Sequence, residues 1–288
     1  MLNFIKNKKI DYIWDDIEKT KTKPNYCTGI VKENFKNFCE RFKNEESLKN
    51  TVNEILDGKV FLIKSCYTKE FISKLKNSFN HFVSSKSSNF HQMLDGCPDF
   101  HRVIDQGVSN LYAVNVIKHS AYFFNWNGDP YKLFPEIYDK WRLLKFLGGR
   151  YYNEFENNTP RDGVVDRIQI LKYPSGGKMD LHCDPDHNQK LFISLYMSKR
   201  EKDGDYQEGG FYLLNNKKEI IDLEDHVDQG DLGFGYATLM HGVKTINKSK
   251  LKKNNVNFRS KSGRWYLGLY SNDSDEIKNR KTSTPIKN

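Results

Sequence analysis

From about residue 160 to residue 270 the chain is punctuated at short intervals. Apolar runs at 165–173, 190–197, 210–214, 232–237, 240–246 and 263–270 alternate with Gly-bearing turns. Runs of this length and spacing read as antiparallel strands, which restricts this half of the chain to a sandwich or a barrel. With 37% hydrophobic and 14% aromatic residues in the 288, there is enough apolar side chain to build a core.

The first half reads differently. Residues 1–57 are polar and helical in pattern, with Leu48, Val52, Ile55 and Leu56 at helix spacing and Gly58 as the stop. A short apolar strand follows at 60–65. Thr68 is then placed as an N-cap for a helix that carries Phe71, Leu75, Phe79 and Phe82 on one face. Residues 84–110, rich in Ser, Asn, Gly and Asp, read as loop. Residues 111–148 are dense in aromatics, and a helix from Pro135 to Leu147 ends at Gly148 and Gly149. The segment after Tyr270 is polar and reads as a loose tail. This divides the chain into a mainly helical buttress with lid loops (1–159), a strand-built core (160–271) and a flexible tail (272–288).

Several function classes recede on composition. No run of about 18 apolar residues occurs, so no transmembrane helix is expected, and charge arrives too early at the N-terminus for a signal peptide. The five cysteines are scattered without a CxxC pair, which argues against a disulfide framework and leads to the expectation of a reducing cytoplasm. The net charge of +9 is spread along the chain. Its one dense cluster, Lys248–Lys253, falls in a loop. Charge without a motif does not make a nucleic-acid site, and none is expected. No oligomeric state follows from the sequence.

The chemistry concentrates in Arg167–Asp184, RIQILKYPSGGKMDLHCD. It begins as a strand and ends in His182 and Asp184. Residues two apart in extended chain point to the same side, so an imidazole and a carboxylate aim at one point. His241, 57 residues after Asp184, supplies a third ligand. Two imidazoles and one carboxylate suit non-haem Fe(II) and leave coordination positions open. Arg264, 23 residues further on, is a fixed cation able to grip a carboxylate through two hydrogen bonds. Tyr173 is placed to add a hydroxyl donor. Two alternatives stand beside this. His182 and Asp184 as a structural hydrogen-bonded pair is one. A zinc site of His182, Cys183 and His187 is the other, although adjacent strand side chains diverge.

At this point the sequence resembles the Fe(II)/2-oxoglutarate-dependent dioxygenases, in particular their prolyl 4-hydroxylase-like branch. The resemblance runs over about residues 165–270. It is carried by Gln169 with Tyr173, the turn Pro174–Gly177, His182-Cys183-Asp184, Leu195-Tyr196, Glu208-Gly209-Gly210, Gly230-Asp231, His241 and Gly263-Arg264-Trp265. Two departures stand out. The loop between His241 and Arg264 is longer than usual, and Arg stands where Lys is common in the prolyl hydroxylases.

The resemblance implies an α+β chain with a double-stranded β-helix (jelly roll) core and N-terminal helices packed on its outer face. It implies His182, Asp184 and His241 on Fe(II), with Arg264 and Tyr173 on the co-substrate 2-oxoglutarate. O2 would be consumed, succinate and CO2 released, and ascorbate would serve as reductant. The default reaction is hydroxylation of an unactivated C–H bond, with desaturation or oxidative cyclisation not separated from it. Halogenation is disfavoured because Asp184 occupies the position a halide needs. The expected partner is a small-molecule substrate such as an amino-acid derivative, with His101, Arg102, Trp126 and Phe211 as candidate contacts by placement alone. A protein side-chain (prolyl-type) hydroxylase is the second reading. A catalytically idle jelly-roll module binding an anionic partner is the third.

Overall fold

The computed structural model describes residues 5, 8–251, 256–260 and 262–286. In chain order its principal elements are α1 (Asp11–Glu18), β1 (Gly29–Asn34), α2 (Phe35–Glu40), α3 (Glu45–Leu56), β2 (Lys59–Lys64), α4 (Lys69–Ser85), β3 (Phe100–Ile104), α5 (Gln106–Ser109), β4 (Val116–Phe123), α6 (Phe134–Leu147), β5 (Val164–Tyr173), β6 (Lys178–Cys183), β7 (Leu191–Tyr196), β8 (Gly210–Leu214), β9 (Ile220–Asp222), β10 (Leu232–Tyr236), β11 (His241–Lys244), β12 (Arg264–Asp273) and β13 (Thr284–Pro285).

The eight strands β5 to β12 form a jelly roll. One sheet runs β5, β12, β7, β10 and the other β6, β11, β8, β9. Apart from the β8–β9 hairpin, which stays in one sheet, successive strands alternate between two facing sheets, the arrangement of a double Greek key. The first sheet extends beyond this core. β2 pairs antiparallel with β10 and parallel with β1, while β4 pairs with β5 and β3. The N-terminal half therefore contributes four strands as well as helices.

Of those strands β2 is the one expected from the sequence, at 60–65, and the other three leave little local signal. β1 (GIVKEN) is short and half polar. β3 lies inside a Ser- and Asn-rich stretch that reads as loop. β4 is hidden among aromatics. Only β2, buried along Val60–Ile63, carries the continuous apolar run of a strand covered on both faces. In the tail, Thr284 and Pro285 pair with Cys183 and His182 of β6, which corrects the loose reading at that point. β6 has an outer edge that β4 covers only at Lys178 and Met179, and β13 closes more of it. Of the Lys-rich loop, Lys248–Lys250 form one turn, while Lys252 and Lys253 lie outside the described residues.

The helices pack on the outer face of the larger sheet. Thr68 caps α4 by accepting a hydrogen bond from the Phe71 N–H at 3.2 Å. Phe79 of α4 meets Trp265 and His119 edge-on, each ring 5.0 Å away. Such aromatic pairs add about 0.5–1.5 kcal/mol beyond their burial. They also set the parity of the strands. With Trp265, His119 and Phe123 turned out towards α4, Arg264, Lys118 and Tyr122 turn in between the sheets. Among the described residues no helix is long and apolar enough to cross a membrane.

Candidate metal centre and its cavity

His182 and His241 face each other across the β6–β11 ladder as a direct register pair. Their ring centroids are 4.2 Å apart. Asp184 lies just past the end of β6. Its Oδ1 is 3.7 Å from Nε2 of His182 and its Oδ2 is 3.7 Å from Nε2 of His241. One donor atom from each of the three lies within 4.8 Å of the others. The two-residue spacing of a strand thus delivers an imidazole and a carboxylate to one place, and the neighbouring strand brings the third group.

The orientation of the rings is set by backbone carbonyls. His182 Nδ1 lies 2.9 Å from Asp180 O, and His241 Nδ1 lies 2.7 Å from Leu239 O. A carbonyl oxygen only accepts, so in both rings Nδ1 carries the proton and Nε2 presents its lone pair to Asp184's side. Burial, reinforced by the neighbouring His241, holds His182 below its ordinary range and therefore neutral. Burial alone would raise Asp184. The hydrogen bond from the Ser283 hydroxyl and the nearby Lys118 ammonium are among the groups that outweigh it, so the carboxylate is held ionised. Ser283 Oγ donates to Asp184 Oδ1 at 2.6 Å.

Two connected cavities open at this cluster. The inner one, about 100 Å³, is walled by Tyr173, Met179, Phe211, Val243 and Tyr266 together with the three candidate ligands. Arg264 stands one layer behind that wall. Its guanidinium carbon is 5.1 Å from the Tyr266 ring and 5.8 Å from the Phe211 ring. The Arg264 Nε donates to Glu224, and burial of this cation is outweighed by that carboxylate, which keeps it charged. Its Nη1 is buried with no partner. Tyr173 is fully buried and its hydroxyl points to Met179 Sδ at 3.4 Å. Burial pushes its pKa well above the usual phenol range, so the hydroxyl keeps its proton and stays a donor.

The outer cavity, about 360 Å³, shares Asp184, Ser283, Lys118 and Arg167 with the inner one and continues past Tyr112, Tyr122 and Tyr270. The structure brings Phe211 to the inner wall, 5.4 Å ring to ring from His241. The other three candidate contacts fall elsewhere. His101 is buried on β3, with Nδ1 3.0 Å from His119 Nε2 and Nε2 2.9 Å from Lys86 O. Arg102 donates to the Tyr112 hydroxyl and covers the Phe90 ring. Trp126 stacks on Phe124 and donates to Cys97 O. None of the three lines either cavity, although Arg102 reaches the outer wall through Tyr112. Cys183 points away from the cluster, and His187 is bound to Asp273 at 2.9 Å, so neither joins His182 in a zinc site.

Three residues that line the cavities and one behind their wall have no role assigned from the sequence. Arg167 had a readable signal: on one strand it shares parity with Gln169 and Tyr173, so all three face the same way. Lys118 needed β4 to be recognised first. Ser283 and Glu224 have no local signal, since their relevance comes from contacts 99 and 40 residues away in sequence.

No family model matches the chain, and no curated protein matches it. Among solved structures, a Pseudomonas putida prolyl-4-hydroxylase aligns at a TM-score of 0.46 and 12% identity, covering 78% of this chain and 97% of that one. A prolyl hydroxylase from Trichoplax adhaerens, in complex with a peptide fragment, aligns at 0.46 and 14%, covering 83% and 93%. An oxidoreductase of the 2OG-Fe(II) oxygenase family from Burkholderia pseudomallei aligns at 0.42 and 10%, covering 85% and 96%. At such identities the reading of function rests on the site's own geometry.

Proposed function

We propose that this chain is an Fe(II)/2-oxoglutarate-dependent oxygenase acting on an unactivated C–H bond of a small molecule. The observation that carries the reading is the pair of imidazoles with Nδ1–H tied to carbonyls and Nε2 converging with Asp184. Two neutral nitrogens and one carboxylate suit Fe(II), leave sites open and keep the net charge low. The orphaned Nη1 of Arg264, behind a wall shared with Tyr173, fits the distal carboxylate of a dicarboxylate co-substrate.

When bound, iron, 2-oxoglutarate and O2 supply an oxidant strong enough for a C–H bond, with succinate and CO2 released. The chain's own contribution is placement and exclusion. His182, Asp184 and His241 hold the metal. Arg264 and the Tyr173 hydroxyl would orient the co-substrate, and Phe211, Val243 and Met179 supply apolar wall beside the polar groups of the inner cavity. The outer cavity's modest volume supports a small molecule rather than a folded protein as substrate. Hydroxylation is the default outcome, with ascorbate as reductant.

Calorimetric titration should give one Fe(II) per chain, and His182→Ala should weaken that binding by more than about 100-fold with the fold retained by circular dichroism. Equal affinity in the variant sinks the triad. With iron bound, Arg264→Leu should raise the 2-oxoglutarate requirement by at least about tenfold. An unchanged requirement removes Arg264 from that role. Iron binding without any succinate formation identifies an idle binding module instead.

A further inference from the structure

Two basic side chains at the junction of the cavities have no anion to answer them. Arg167 of β5 and Lys118 of β4 both line the inner and the outer cavity. Both are half-buried, and the surface they keep faces the cavity. Neither forms a hydrogen bond or an ion pair to any described residue, and Arg167 Nε is buried without a partner. Two other interior cations are matched by carboxylates, Lys145 by Asp166 and Arg264 by Glu224, and Lys172 is bound by the Phe258 and Ser260 carbonyls. An unpaired cation in a low-dielectric site is costly unless something fills the role of its counter-ion.

The geometry looks prepared for a ligand. The Arg167 guanidinium carbon lies 4.9 Å from the Tyr270 ring and 5.5 Å from the Tyr122 ring, so two aromatic faces fix its plane. The remainder of the outer wall adds Arg280 and Lys281, while Asp184 is its only carboxylate among the described residues. Arg280 is already paired with Asp275. Asp184 lies beyond 4 Å of either free cation, and a metal at the triad would claim its charge. The pair therefore keeps a net positive charge beside the metal centre.

We propose that Arg167 and Lys118 bind a carboxylate of the substrate itself, so that the molecule oxidised here is a small organic acid held by its anionic end. This rests on the reading under Proposed function for what happens next to that anion, but not for the binding of the anion. Arg264, behind the inner wall, serves the co-substrate, whereas Arg167 and Lys118 sit at the passage to the outer cavity. The Arg167 fork grips a carboxylate through two hydrogen bonds and Lys118 adds a point charge.

The test uses full-length protein loaded with Zn(II), which keeps ligand NMR signals sharp, and with 2-oxoglutarate. The probes are acids paired with their neutral amides: benzoate with benzamide, phenylacetate with phenylacetamide, and 4-methylpentanoate with its amide. The acids should bind at least about tenfold more tightly than the amides. Arg167→Gln and Lys118→Met should each bring the acid close to its amide while leaving 2-oxoglutarate affinity within about twofold, and Arg167→Gln should leave Zn(II) affinity within about twofold as well. Absence of acid preference in every pair overturns the proposal, as does a preference unchanged in both variants. Loss of 2-oxoglutarate affinity in the variants also overturns it, by assigning the pair to the co-substrate. Failure of the wild-type protein to bind Zn(II) sinks the metal reading alone, because the acid and amide comparison on metal-free protein still decides this one.

Discussion

Gly210 illustrates how one residue sets up a site it never touches. Its φ of +123° lies where side chains are strained, and a Cβ there would meet Glu224 Cγ at 2.3 Å. The absence of a side chain lets Glu224 reach three partners: the Phe211 N–H, the Tyr206 hydroxyl and Arg264 Nε. Gly210→Ala should therefore cost about 3–5 kcal/mol, the range for breaking a buried ion pair, because Glu224 must withdraw. Urea unfolding at neutral pH measures this. A loss under about 1 kcal/mol would show that Glu224 does not depend on the gap. The Glu-Gly-Gly turn was visible in the sequence as a motif. That its second Gly makes room for the counter-ion of Arg264 was not, because Glu224 is 14 residues away and has no pattern of its own.

Among the elements, β13 and the segment leading to it change most between sequence and structure. Its residues are polar and short of apolar anchors, which is why they read as tail. Yet Lys281 N–H donates to Asp273, Ser283 donates to Asp184 and Ile286 N–H donates to Leu181 O. The segment is held by backbone groups and by polar partners, neither of which leaves a hydrophobic period to read. Removing residues 281–288 should weaken metal binding by about tenfold, as loss of an outer hydrogen bond to a ligand does. Ser283→Ala should reproduce most of that loss without lowering the melting temperature. Metal affinity unchanged in both would show that Asp184 needs no help from the tail.

At the scale of the whole molecule, stability should decline on the acid side through histidines that the fold keeps neutral. Burial, with His101 and Lys172 nearby, depresses His119 to about 3. In the unfolded chain an ordinary imidazole titrates near about 6.5. Between those values the unfolded chain takes up a proton that the folded chain refuses, so stability falls as pH drops from about 6.5 towards about 3. His119→Gln should remove up to about 1.4 kcal/mol per pH unit from that slope, read from urea midpoints between pH 6.5 and 5. Parallel curves for variant and wild type would exclude His119 as a source.

What the sequence determined by itself lies within short reach along the chain. The strand rhythm after residue 160, the i, i+2 aim of His182 and Asp184 and the Thr68 cap all follow from local geometry, and each is present in the fold. The tertiary structure decided what depends on strands meeting from far apart. It placed β1 to β4 in the larger sheet, set His241 opposite His182, gave Arg264 to Glu224 and closed β6 with β13. It also left Arg167 and Lys118 facing a shared cavity without a counter-charge. The physical reason is that pairing between distant strands is selected by burial and polar satisfaction across the whole core, whereas a sequence read in order exposes only the preferences of neighbours.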